Sequence, residues 1–231
     1  MRITILGTRG EIEGSAPDHR LHSGILIDDT ILFDVGEREF LESEPDRIFL
    51  THLHPDHAFF VNDETEVKIP VYGPEEYNDM VSVIDSPLSF GQYTVIPIPT
   101  YHSAKVASTA YLVKKGAESM LYTGDIVWIN KEYHHIFDPV DLVITDGSFI
   151  RKGGRIRKHK NTGILFGHNG IPDLIRLFAP YTGKIIFVHF GSWFFRDIRA
   201  AERMIEDLGK DHGISAIPAY DGMEFVIGDR K

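Results

Sequence analysis

Cysteine is absent from this sequence, which excludes disulfides and thiolate ligands and leaves histidine and carboxylates as the side chains able to build a soft-metal site. Long apolar runs are missing as well. The opening stretch MRITILGTRGEIEG has only a short apolar run before Gly7, far from a signal-peptide core or a membrane span, so the expectation is a cytoplasmic protein with no membrane association. Positive charge is in deficit. The 24 Lys and Arg face 34 Asp and Glu, and a formal charge of −10 argues against a protein that coats nucleic acid over a wide face. Tandem repeats, low-complexity tracts and linkers are also missing, so residues 1–231 read as a single domain with enough apolar content for a full core.

What is present is mostly strand-like. Short β-rich runs recur: RITIL, GILI, TILF, RIFL, TVIPI, TAYLV, SMLY, DLVI, KIIFV and MEFVI. Helical spacing occurs in two places, Pro172 to Ala179 and Phe194 to Leu208, the second ending before Gly209. Strands come first in clusters and later alternate with helices, which predicts packed sheets with helices outside, an α/β fold. Chemistry-bearing residues sit at the ends of these runs. TILF runs into Asp34, RIFLT into His52, TVIPIPTY into His102, SMLYTG into Asp125, and KIIFV into His189. Carboxyl ends of strands commonly build a site, because a rigid sheet holds polar groups at a crevice.

The sharpest local signal is THLHPDH, residues 51–57, with three histidines and an aspartate directly after a strand. His52 and His54 alternate in an extended turn and can meet one cation, while Asp56 and His57 can turn toward a second.

This heptapeptide resembles the signature of the metallo-β-lactamase superfamily. Further matches follow in the family's order: LFDVGE with Asp34, the histidine of TYHSA, the aspartate of YTGD and the histidine of FVHFGS. The resemblance implies a four-layer αββα sandwich with two divalent metal ions at one edge, zinc first, manganese or iron as alternatives. His52, His54 and His102 would hold one ion, Asp56, His57 and His189 the other, and Asp125 would bridge them. Asp34 would orient a ligand or its loop without binding metal. A water shared by two Lewis acids loses a proton near neutral pH, which supplies a hydroxide for hydrolysis.

The segment ILFGHNGIPDLIRLFAP places His168 just before a helix start, with 20 residues between it and His189, and is similar to the glycine-histidine stretch of ribonuclease Z and related phosphodiesterases. In those relatives this histidine assists the leaving group at the scissile phosphate, so Asp56 and His168 are the catalytic candidates. The expected partner is a phosphodiester, RNA or a small nucleotide, with a homodimer allowed. Two features depart from the family. Only 22 residues separate His102 from Asp125, too few for a tRNA-gripping arm, and Ala58, Phe59 and Phe60 replace the usual glycine, so aromatics are expected at the pocket mouth. The stretch RKGGRIRKHK, residues 151–160, holds six Lys or Arg and no acid; as a loop over the site, its Arg155, Arg157 and Lys158 would grip phosphates. Asp146 and Ser148 in ITDGSF are further pocket candidates, whereas His134 and His135 read as surface residues and Trp193, Phe194 and Phe195 as a helix's buried face. The competing reading keeps the fold and metals but hydrolyses a carboxylic ester, thioester or lactone. A metal-binding module without turnover, or a di-iron redox protein, has less support in the residues.

Overall fold

A computed structural model describes residues 1–63 and 65–228. Two sheets face each other. The first has seven strands in the order Met223–Val226, Arg2–Gly7, Gly24–Ile27, Ile31–Phe33, Arg47–Phe49, Val71–Gly73 and Val81–Val83. The second has eight, running from Trp128–Ile129 through Tyr93–Tyr101, Thr109–Lys115, Glu118–Tyr122, Leu142–Asp146 and Lys184–Val188 to Ser215–Pro218, with Leu88–Phe90 paired on Tyr93–Tyr101.

The alternation of strand side chains sorts the apolar residues into three cores. Between the sheets lie Ile25, Ile27, Phe33 and Phe49 from the first and Val113, Met120, Tyr122 and Ile144 from the second. Their strand neighbours point outward. Leu121, Val143 and Ile185 pack under Leu174, Ile175 and Phe178 of helix Ile171–Phe178 and Ile205 of helix Ile198–Asp211. Leu26, Leu32, Ile48 and Leu50 pack under Phe40 and Phe60, which belong to 3₁₀ turns rather than α-helices. Each such fully buried side chain contributes about 1.5–3 kcal/mol relative to exposure.

The first helix nearly matches its spacing, beginning one residue earlier at Ile171. The second starts later than predicted. Asp197 caps it by accepting from the Ala200 amide at 3.0 Å, so Phe194–Arg196 forms a separate 3₁₀ turn. The stretch 151–160 is not a loop. Arg155–Lys158 pairs antiparallel with Leu165–His168, with Arg155 opposite His168 and Arg157 opposite Phe166, in a basic hairpin outside both sheets.

Parallel pairing places the site. Ile31–Phe33 runs parallel to Arg47–Phe49, and Glu118–Tyr122, Leu142–Asp146 and Lys184–Val188 are parallel to one another. Their carboxyl ends therefore share one edge, which brings Asp34, His52, Asp125, Asp146 and His189 together from distant parts of the chain.

Candidate metal centre

Two groups of donors meet at that edge. In the first, His54 Nδ1 lies 3.0 Å from His52 Nε2 and 3.3 Å from His102 Nε2, while Asp125 Oδ2 is 3.6 Å from His102 Nε2 and 3.9 Å from His52 Nε2. A tetrahedral ion bonded at about 2.0–2.1 Å has donor–donor edges of about 3.3 Å, so these four atoms surround a space of that size. In the second, Asp56 Oδ2 is 2.9 Å from His189 Nε2 and 3.8 Å from His57 Nε2. The other oxygen of Asp125 borders this group: Oδ1 lies 3.3 Å from His57 Nε2, and 3.1 Å from His189 Nδ1 rather than from the Nε2 that faces Asp56. Asp125 thus turns one oxygen to each group. Its Oδ1 is buried yet accepts no hydrogen bond, an unfavourable state that a cation would relieve. Both groups could hold a metal ion.

Asp125, Asp146, His168 and His189 also bring donors together. Hydrogen bonding sets Asp146 apart from the other carboxylates. Its Oδ1 accepts from the Ser148 amide at 2.8 Å, and its Oδ2 lies 2.8 Å from His168 Nδ1 and accepts from the Ile126 amide at 3.3 Å. Through Oδ2 it orients His168.

Asp34 is fully buried and satisfied. Its oxygens accept from the Thr51 amide at 2.7 Å, from the Tyr122 hydroxyl at 2.7 Å and from the Thr51 hydroxyl, and His57 Nδ1 lies 2.7 Å from Oδ2. That contact fixes the ring so that Nε2 faces Asp125. Asp34 and His189 both hold left-handed backbone, φ 54° and 56°, a conformation that costs a bulky residue energy and recurs at functional sites. At His189 the turn lets the Phe190 amide donate to Thr8 and the Gly10 amide donate to Phe190. Gly10 sits so close that a Cβ there would lie 3.1 Å from His189 Cε1. No signal in the sequence ties this amino-terminal loop to the site.

The charges are in tension. Burial pushes His52 well below the usual histidine range and His102 down to about 4. Burial acts the same way on His57, but Asp125, Asp34 and Asp56 outweigh it and raise the imidazole to about 10. His189 is likewise carried well above its ordinary value against burial, chiefly by Asp125, and His168 is raised by Asp146 and Asp125. Burial would raise Asp56 and Asp125, yet the charges of His57 and His189 hold both carboxyls far down. One group is thus neutral imidazole, and the other is protonated imidazole among carboxylates.

A cavity of about 720 Å³ opens onto this cluster, lined by His54, Asp56, His102, Asp125, His168 and His189. Of the basic residues proposed from sequence, Arg155 lines it; Arg157 and Lys158 do not. Arg157 lies farther out along the strand and Lys158 alternates to the other face. Arg151 and Arg196 line the cavity instead, with Trp193, Ser148 and the Gly10–Ile12 segment. The aromatic mouth expected from Phe59 and Phe60 is absent: Phe60 is buried under the first sheet, and neither residue lines the cavity. Phe194 is buried as expected, while Trp193 reaches the cavity rim and donates from Nε1 to the Gly147 carbonyl at 3.0 Å. His134 is half-buried against Tyr181 rather than on the open surface.

Neither a protein-family model nor a curated protein sequence matches the chain. Solved structures do. The backbone is similar to that of YhfI from Bacillus subtilis, a metallo-β-lactamase fold protein, with a TM-score of 0.70, 19% identity, and coverage of 97% of this chain and 98% of that one. The chain has the metallo-β-lactamase fold. Two further structures of this fold are similar: the human tRNase Z short form, ELAC1 (TM-score 0.66, 17% identity, 98% of this chain and 99% of that one), and a diphosphatase of the PhnP family (TM-score 0.63, 16% identity, 98% and 97%). The αββα order expected of the fold holds, with one outer layer reduced to 3₁₀ turns over the first sheet. Among the described residues no helix is long and apolar enough to cross a membrane.

Proposed function

We propose that this metallo-β-lactamase-fold chain is a metal-dependent phosphodiesterase, cleaving RNA or a small nucleotide ester, with His168 acting at the leaving oxygen. The observation that carries the reading is the placement of His168. Its Nδ1 is engaged by Asp146 at 2.8 Å, its ring lies 4.9 Å from that of His102, and its edge lines the cavity above the donor cluster. With Nδ1 so held, a protonated ring can deliver its proton from Nε2. An acid beside the metal ligands is useful when the departing group is a poorly stabilised alkoxide.

His52, His54, His102 and Asp125 would hold one divalent cation, and Asp56, His57, His189 and the second oxygen of Asp125 the other. Five imidazoles and two carboxylates suit zinc first, manganese or iron next. Bound ions would supply Lewis acidity and a nucleophile drawn from water. The chain's own residues do the remainder: Asp34 orients His57, Asp146 orients His168, and Arg155 draws an anion toward the cluster. Phosphoester chemistry is also what the names of two structural neighbours, a tRNase Z and a diphosphatase, describe.

The test is leaving-group dependence. His168→Ala should retain its metal and lose about 10²- to 10⁴-fold in turnover on a diester with a ribose-like leaving hydroxyl, and far less on a p-nitrophenyl diester. Full activity of the variant on the poor leaving group would remove His168 from the mechanism. Turnover of p-nitrophenyl acetate or a lactone, with none of diesters, would transfer the site to the carboxylic ester reading.

A further inference from the structure

We propose that a second cleft, behind the basic hairpin and separate from the donor cluster, binds a small planar aromatic carboxylate. Trp128, His134 and Tyr181 wall it, Leu177 and Ile156 add apolar surface, and Lys131 supplies the charge. The cleft encloses about 740 Å³ and shares no lining residue with the cavity over the metal centre, so this inference stands apart from the phosphodiesterase reading.

Strand alternation creates the second space. Arg155 and its cross-strand partner His168 project to one face of the hairpin, and Ile156 projects to the other, where it lines the cleft and stays 39% exposed. A branched apolar side chain left that open in an aromatic cleft is surface that an apolar ligand would cover. Helix Ile171–Phe178 contributes Leu177, which is buried.

The aromatic wall is built before any ligand arrives. His134 Nδ1 accepts from the Tyr181 hydroxyl at 2.9 Å, and its Nε2 donates to the Ile129 carbonyl at 3.1 Å. Both nitrogens are engaged, so the imidazole is held between the Tyr181 ring, 5.5 Å away at 83°, and the Trp128 ring, 6.2 Å away at 54°. Phe137, fully buried, backs the same imidazole at 5.5 Å. Rings fixed in this way lose little freedom on binding, and a flat aromatic ligand gains most from their faces and edges.

Charge selects among flat ligands. Two donors in the cleft lack partners. The Trp193 indole N–H donates to the Gly147 carbonyl, whereas that of Trp128 has no acceptor among the described residues. Lysine ion pairs among those residues involve Lys115 and Lys210, so Lys131 is left without a carboxylate in a chain whose formal charge is −10. The cleft's other charges cancel. Arg176 pairs with Asp173 at 3.1 Å, and the second Asp173 oxygen accepts from the Gly153 amide at 2.5 Å. One net positive charge beside an unpartnered indole donor matches a monoanion, and a carboxylate presents two acceptor oxygens to them. A phosphate monoester would bring about two negative charges against one.

The experiment titrates metal-loaded protein with naphthoate and follows the two indole N–H resonances in nitrogen–proton correlation spectra, Trp128 being assigned through Trp128→Phe. Naphthoate should move the Trp128 resonance with a Kd of about 1 mM or tighter, as expected for a ligand of its size. Naphthamide should bind about three- to tenfold more weakly, as for loss of a charge-assisted contact, and cyclohexanecarboxylate no better than the amide. Lys131 is exposed, so Lys131→Gln keeps the fold and should bring the acid down to the affinity of the amide. Inorganic phosphate, a competitor for the metal centre, should leave the naphthoate Kd unchanged. A Trp128 resonance that does not move up to about 10 mM naphthoate overturns the site. Equal affinity for acid and amide overturns selection of an anion, and equal affinity for cyclohexanecarboxylate overturns selection of a flat ring. An acid preference that survives Lys131→Gln overturns the role of that lysine, and displacement of naphthoate by phosphate would put it on the metal ions instead.

Discussion

Loading this cluster with divalent metal has to expel the protons that the metal-free site holds, and the two donor groups should do so unequally. A histidine binds metal as neutral imidazole. His52, His54 and His102 are all lowered from their ordinary value by burial, so the first group is already neutral at pH 7. His57 is not. With its imidazole raised to about 10, a proton competes with metal there over three decades at pH 7, equivalent to about 4 kcal/mol. His189 is raised in the same direction and adds a second competing proton. The first ion should therefore bind with little dependence on pH between about 6 and 8. The second should gain up to about tenfold in affinity per pH unit for each proton released. Because both groups share Asp125, the first ion weakens the field that holds those protons, so this slope is an upper bound. Calorimetric titration in buffers of different ionisation enthalpy counts the protons for each ion. Equal and negligible release at both steps would refute the charge assignment of the second group.

The metal-free protein should have its own pH window. Because His57 is raised in the fold above its ordinary 6.5, its contribution to stability is full below that pH and is lost as pH rises through about 10; Asp56 is lowered from 3.8, and its contribution is present above that pH and lost on acidification. His52, His54 and His102 are lowered from 6.5, so their contribution is lost as pH falls below that value; chelated protein should therefore melt highest near pH 6.5, and a Tm that climbs steadily from pH 7 to 10 would contradict this. Asp34→Ala leaves Thr51, Tyr122 and His57 without their shared acceptor and should cost about 3–5 kcal/mol in urea unfolding, with loss of the second ion; a cost below about 1 kcal/mol would mean that water replaces the carboxylate. Asp125→Ala removes an oxygen from both donor groups, so metal content and turnover should fall together, and retained metal with full activity would take Asp125 out of the site. Neutralising Arg157 and Lys158, which do not line the cavity, should leave the turnover of small diesters unchanged. If those residues contact an oligonucleotide, the slope of log affinity against log salt should become shallower by up to about 0.7 per lost single-strand contact, and an unchanged slope would make them solvated surface.

Much of the donor cluster was legible in the sequence because its parts are local. THLHPDH places four candidate donors within six residues, and the remaining ones each follow an apolar β run, so alternation and strand ends located them. The fold followed from the same runs, since a strand that buries both faces, as Met120, Leu121 and Tyr122 do, reads as a short unbroken apolar stretch. The missed features depend on register and crossing. Asp146 meets His168 only because Leu142–Asp146 lies parallel to its neighbours and the hairpin folds back over its end. Gly10 packs on His189 across nearly the whole chain, and Arg196 reaches the cavity only because Asp197 caps a separate helix, which turns the preceding segment inward. The basic stretch looked like a loop because charge obscures strand patterning. Its residues alternate all the same, and that alternation decides that Arg155 faces the site while Lys158 does not.

Elemental analysis of metal-replete protein, combined with chelator titration, tests the account most directly. Two groups of donors joined by the two oxygens of Asp125 predict about two transition-metal ions per chain, the second bound more weakly as pH falls. A protein that never holds more than one ion under saturating metal would contradict the dinuclear centre, and with it the chemistry proposed here.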